Sequence, residues 1–220
     1  MVIYHVVWDL DDLSHLDAGP AWHTVGRTIG CTFLLLLGLS MVLSVGRHGR
    51  GGDLFRWQLL RAAKVAGAAV LVTLGTWVVV GDEFVVFGML HLIALSIPLA
   101  FPFLFAPTAV TAVTAAAVLA LGGVVDPERM NGPWLLWLGI RDEGRVMVDW
   151  YPVIPWFGLV LVGLVLGRLL YPSGLPRLAL PDLSTRRPVP GLRWLGRHSL
   201  AIYLIHQPVL WGSLWILTQA

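Results

Sequence analysis

Six stretches of the chain are apolar enough, and long enough, to be helices crossing a bilayer, which takes roughly 20 predominantly apolar residues. They are residues 25–46 (VGRTIGCTFLLLLGLSMVLSVG), 65–81, 84–105, 107–125, 153–171 and 198–217. Residues 1–10 (MVIYHVVWDL) are apolar but too short to span. They lack the basic start and small-residue end of a signal peptide. They read as the outer half of a helix whose inner half is missing, so the first helix is expected to be truncated. The pattern predicts an all-α, polytopic transmembrane bundle of six full spans plus a partial first span, with residues 1–220 forming one integral membrane domain.

Composition agrees with the pattern. Of the 220 residues, 57% are hydrophobic and only 13% charged, about half the charge of an average soluble domain. Mean hydropathy is +0.77. These values argue against a disordered chain and against a water-soluble globular domain. The single cysteine, Cys31, excludes a disulfide framework and a cysteine-built metal centre. A net charge of +2 gives no reason to expect nucleic acid, because the basic residues are placed as membrane topology would place them.

That placement is uneven. Segment 47–64 carries Arg47, Arg50, Arg56, Arg61 and Lys64 against one acid, Asp53. Segment 168–197 carries Arg168, Arg177, Arg186, Arg187, Arg193 and Arg197 against one acid, Asp182. Lys and Arg accumulate in cytoplasmic loops, so both segments are expected in the cytoplasm. Residues 11–24, 82–83, 126–152 and the C-terminus are then expected outside, at the cell membrane. The outer loop 126–152 holds Trp134, Trp137 and Trp150 and is expected to lie partly on the membrane, since tryptophan favours the headgroup level. The Pro-rich segment 172–191 reads as an irregular connector. Gly26 and Gly30, and Gly163 and Gly167, are four apart, a spacing that lets helices approach closely. Pro98 and Pro102 would kink the 84–105 span.

Ionisable groups at membrane depth are costly and need a reason. Three histidines qualify: His5, His91 and His206. Asp9 lies four residues after His5, on the same helix face, where a carboxylate can orient an imidazole and raise its basicity. His91 lies roughly 10 Å below the start of its span, at 1.5 Å per residue. His5 is at a similar outer-half depth, so the two are expected to face one cavity. Ser199, Tyr203 and His206 are spaced as one helical stripe, which either lines a substrate or proton path or bonds a neighbouring helix. His15 and His23 flank the short outer connection above that cavity, where a histidine would serve as general base. Asp149 and Tyr151 precede the 153–171 span and offer groups for an amine or a sugar hydroxyl, or simply a solvated helix start. Metal binding by His5, Asp9 and His91 has no diagnostic spacing, and no metal is expected. No Walker, G-x-G-x-x-G, G-x-S-x-G or H-E-x-x-H pattern occurs.

Taken together, MVIYHVVWDL, TIGCTFLLLLGLSMVLS, FVVFGMLHLIALSIPLA, DWYPVIPWFGLVLVGLVLG and LRWLGRHSLAIYLIHQPVL resemble the prokaryotic membrane proteins related to the catalytic domain of heparan-α-glucosaminide N-acetyltransferase. The last segment is the sharpest, and it also resembles other polytopic acyltransferases. The resemblance implies an acyltransferase that moves an acetyl group from cytoplasmic acetyl-CoA to an acceptor on the other side, with a histidine near the outer face as base. His15 is the nearest match to that histidine, with His5, His91 and Asp9 as further catalytic candidates. His206, Tyr203, Ser199 and Asp149 are candidates for binding substrate. Arg61, Arg193 and Arg197 are candidates for the donor's phosphates, although positive-inside topology alone would put arginines there. The acceptor stays open between a cell-surface glycan, a lipid-linked sugar and a small amine. Membrane lipid is a partner, and a homo-oligomer is left open. A transporter of a small polar or lipid-linked solute is the alternative reading.

Overall fold

The computed structural model describes residues 1–14, 19–49, 51–124, 133–140, 147, 149–172, 177 and 187–219. The described residues are helical, without a strand, and comprise eight α-helices: α1 (Val2–Ser14), α2 (Pro20–His48), α3 (Gly52–Val80), α4 (Met89–Ala100), α5 (Thr108–Leu121), α6 (Val153–Leu170), α7 (Val189–Arg197) and α8 (Ser199–Gln219). Among the described residues three stretches are long and apolar enough to cross a membrane: Thr24–His48, Gly52–Glu83 and Val153–Leu170. Met89–Ala100 and Thr108–Leu121 are apolar but shorter. The chain divides into two compact units, one of Met1–Gly30 with Leu180–Ala220 and one of Cys31–Ala179.

In the larger unit α3 packs on α4, α5 packs on α6, and α4 also meets α6. Its core includes Leu34, Met41, Leu92, Ile97, Val160, Leu161 and Leu164, all fully buried. The later part of α2 crosses α6 backbone to backbone. A Cβ on Gly38 would collide with the Val160 carbonyl, and one on Gly163 with the Leu35 carbonyl. Gly167 meets Val42 at the same crossing. The Gly163/Gly167 spacing therefore serves the close approach expected of it, and Gly38 completes the crossing from the other side.

Segment 47–64, expected as a loop, is mostly helix: α2 runs to His48 and α3 begins at Gly52. Leu54, Gln58 and Ala62 are buried four residues apart along α3, so this stretch has a helical inner face. Arg56 and Lys64 stand outside that face. Counting charge hid the periodicity. At 29 residues, α3 is about 43 Å long at 1.5 Å per residue, which exceeds the roughly 30 Å of hydrocarbon. A basic first half and an apolar second half suit that excess.

The expected 84–105 span is also shorter than its apolar run, because α4 starts only at Met89. Residues 84–88 are not helical, yet much of their backbone is paired. Thr76 Oγ1 accepts the Val85 N–H at 3.1 Å, and Thr73 Oγ1 donates to the Val85 carbonyl at 2.7 Å. The Tyr151 N–H reaches the Phe87 carbonyl at 3.3 Å. Non-helical backbone is tolerated when protein groups pair it in this way. At the far end of α4, Pro102 and Pro107 supply no N–H. Arg168 of α6 donates there to the Phe103 carbonyl and approaches Thr108 and Thr111 Oγ1 at 3.4 and 3.3 Å.

In the smaller unit α1 packs on α8, and α7 leads into α8. Tyr4 of α1 stacks on Trp22 at 5.4 Å between ring centroids and fills the space above Gly26, where a Cβ would lie 2.6 Å from the Tyr4 hydroxyl oxygen.

Candidate active site

The α1–α8 seam gathers the polar groups of the smaller unit. On α1, His5 and Asp9 are one turn apart and share a face. Opposite them α8 presents His206 and Gln207. The rings of His5 and His206 lie 4.9 Å apart, and Gln207 Nε2 donates to Asp9 Oδ1 at 2.8 Å. Asp9 is 3% exposed and His206 9%. Tyr4 sits edge-on to His5 at 5.4 Å, and Tyr203 tilts against His206 at 5.7 Å. Ser199 is at the exposed end of the α8 stripe, which becomes progressively buried through Tyr203 to His206.

The hydrogen bonds select the tautomer of the neutral His206 ring. Its Nδ1 lies 2.7 Å from the Tyr203 carbonyl and 3.1 Å from the Ile202 carbonyl. Carbonyls only accept, so Nδ1 carries the proton, and in the neutral ring Nε2 keeps the lone pair. That Nε2 is buried with no hydrogen-bond partner among the described residues, as is Gln207 Oε1. A buried acceptor left unpaired costs about 1–3 kcal/mol, a cost that a bound donor would remove. The imidazole is thus oriented through one nitrogen and available through the other, the arrangement a general base requires.

His91 belongs to the other unit and has a different setting. The Gly88 N–H donates to its Nδ1 at 3.3 Å, so Nε2 carries the proton and faces Thr73 Oγ1 at 3.2 Å. Both ring nitrogens are engaged, and the ring closes the N-terminus of α4. Asp149 completes that closure by accepting the Met89 N–H through Oδ2 at 2.9 Å. A Cβ on Gly88 would collide with the Asp149 carboxylate, which is why glycine precedes α4. Burial pushes the Asp149 carboxyl up to about 6, opposed by its bond to Met89. The Asp149 carboxylate thus caps α4.

The arginine candidates separate. Arg61 is half-buried on α3, donating to Ser40 Oγ at 3.1 Å and lying 5.9 Å from the centre of the Trp57 ring. Its neighbour Gln58 is buried and donates to Ser44 Oγ at 2.9 Å, while Gln58 Oε1 has no partner among the described residues. Arg193 and Arg197 are exposed on α7. His15 lies outside the described residues, and nothing is described of the His23 side chain. Among the described residues no group of three or more His, Cys, Asp or Glu is arranged to hold a metal ion.

Gln207, Thr73 and Gln58 were not singled out by the sequence reading. A signal existed for each: an amide beside the last membrane histidine, a hydroxyl within an apolar run, and a glutamine on the buried side of a basic helix.

An all-helical chain with membrane-length apolar helices, and with buried imidazole and amide acceptors at one helix seam, defines the class: an integral membrane protein with a polar site inside it. Residues 1–208 match the family described as heparan-alpha-glucosaminide N-acetyltransferase, catalytic. The chain belongs to that family, one of membrane acetyltransferases. No curated protein and no solved structure matches it.

Proposed function

We propose that this chain transfers an acetyl group from cytoplasmic acetyl-CoA to a sugar amine or hydroxyl on the opposite side of the cell membrane, and that His206 is the base. The family match over residues 1–208 supports the reaction class. The observation that carries the base is the buried, unpaired Nε2 of His206, whose ring is set by its backbone bonds and lies beside the ring of His5. In this reading Nε2 takes the proton of the acceptor N–H or O–H as the acceptor attacks the thioester carbonyl. The C–S bond then breaks and the thiolate leaves. Tyr203 and Ser199 continue the polar stripe toward the donor side. Asp9, held by Gln207, fixes the α1 face that carries His5. Segments 47–64 and 172–197 face the cytoplasm in this reading, and the C-terminus faces outside.

His91 takes a positioning role rather than that of a base, because neither of its nitrogens is spare. The test is acetyl transfer by the purified full chain from labelled acetyl-CoA to a panel of amino sugars and hydroxyl acceptors. Loss of a general base typically removes 10²–10⁴-fold of rate. His206→Ala is expected to lower kcat by roughly that factor with KM for acetyl-CoA unchanged. Full activity in His206→Ala would remove it as the base, and no acetylated product from any acceptor with the unaltered chain would remove the reading itself.

A further inference from the structure

Helix α7 differs from every other helix of the chain. It is short, its nine residues run VPGLRWLGR, and from Pro190 to Arg197 every residue is exposed. Leu192 is 59% exposed, Trp194 58% and Leu195 48%. At 100° per residue Leu192 and Leu195 share one side of the helix and Arg193 and Arg197 the other, one turn apart, with Trp194 at the border beside Arg197. Arg187 stands exposed just before the helix. No acidic residue lies between Arg186 and the end of the chain. At the C-terminal end Trp194 packs against His198 at 4.5 Å, and the His198 Nδ1 meets the Trp194 carbonyl at 2.9 Å. Ser199 begins α8 directly afterwards, and its 21 residues contain no Asp, Glu, Lys or Arg.

Apolar residues on one side, arginines on the other and a low overall apolar content are the features of a helix that lies in the membrane interface rather than across it. The apolar side enters the acyl boundary while the arginines stay at headgroup level. Trp194 is amphipathic in the way that suits this depth. Residues 198–217 are expected from their sequence to span, and continuity with the uncharged, 21-residue α8 puts α7 where that span would leave the hydrocarbon. From this we infer that α7 is an in-plane membrane anchor whose occupant is the anionic headgroup layer of the bilayer, with Arg193 and Arg197 binding lipid phosphate and Leu192 and Leu195 inserted beneath it. The inference does not depend on acetyl transfer. It gives the two arginines a lipid partner in place of the soluble donor, and it sets the depth at which Ser199, Tyr203 and His206 follow along α8.

The test uses the full chain with Cys31→Ser and Gly191→Cys, the new thiol carrying an environment-sensitive fluorophore. A Cβ at Gly191 meets nothing within 4 Å, so the probe leaves the leucines in place. The protein is reconstituted into vesicles of phosphatidylcholine alone or mixed with phosphatidylglycerol. Docking is expected as blue-shifted emission quenched by shallow spin-labelled lipid, stronger with phosphatidylglycerol and weakened by salt. Each arginine near an anionic surface is worth about fivefold in partitioning, so Arg193→Gln with Arg197→Gln should lower the docked-to-undocked ratio roughly 30-fold. The double Arg→Lys variant should retain most of the docking, because the charge is kept. Emission of a water-exposed probe in both lipid mixtures would overturn the proposal. So would quenching that ignores phosphatidylglycerol and the glutamine variant, release of the probe by acetyl-CoA, or cross-linking of position 191 to a second copy.

Discussion

Asp149 shows how a single side chain is committed by its surroundings. It caps α4 through Met89, and burial raises its carboxyl to about 6, from an ordinary value of 3.8. A raised carboxyl means that the folded chain binds this proton more tightly than the unfolded chain does. Between roughly pH 4 and 6 the unfolded chain gives up its proton first, so this group's contribution to stability falls as pH rises through that window and is level above it. Asp149→Asn keeps an oxygen for the Met89 N–H and removes the titration. Melting of the detergent-solubilised protein is expected to lose this falling component between pH 4 and 6, with no loss of melting temperature at pH 7. Asp149→Ala removes the cap together with the titration, so its cost of about 1 kcal/mol at low pH should shrink as pH rises from 4 to 6.

At the scale of elements, the α2–α6 crossing depends on the absence of side chains. Gly38 and Gly163 each face a carbonyl of the opposing helix. A flexible neighbour would yield to an added methyl group, but backbone does not. Overpacking of a core commonly costs 1–3 kcal/mol, occasionally more, and Gly163→Leu belongs at or beyond the upper end. The melting temperature of Gly163→Leu should drop sharply, while Gly67→Leu, at an open α3 position, should melt like the parent. Equal melting of the two variants would show that the crossing tolerates bulk. The Gly163/Gly167 spacing was legible in the sequence because close helix approach has a local signature. Gly38 carried no such signature, since its spacing partner lies on another helix. The start of α3 was misread for a related reason: charge was counted where the spacing of Leu54, Gln58 and Ala62 held the information.

For the molecule as a whole, the sequence makes membrane character plain, since apolar length and low charge each point to it independently. Its helical class follows, because helices satisfy their own backbone in lipid. The seam of the candidate site was only half legible. The His5–Asp9 spacing put both groups on one face of α1, and the α8 stripe pointed to His206. That α1 and α8 meet, bringing together residues about 200 positions apart, is a tertiary fact with no local trace. The setting of His91 was hidden for the same reason, because Thr73, which meets its Nε2, lies on another helix. Sidedness is tested directly on the whole chain. In a Cys31→Ser background, a cysteine replacing Gly49 should react with a membrane-impermeant maleimide only after the cell is opened. One replacing Glu83 should react in intact cells. Labelling of both from the same side would overturn the assignment of 47–64 to the cytoplasm and 82–83 to the exterior.

The two engaged nitrogens of His91 have a spectroscopic consequence. An imidazole that receives an amide proton on one side and gives its own to a threonine on the other has no room for a second proton without breaking a contact. Its ring ¹⁵N resonances should hold the pattern of one neutral tautomer across the neutral range. Such a ring gives a fixed reference, in the same spectrum, for reading the tautomer of the His206 ring.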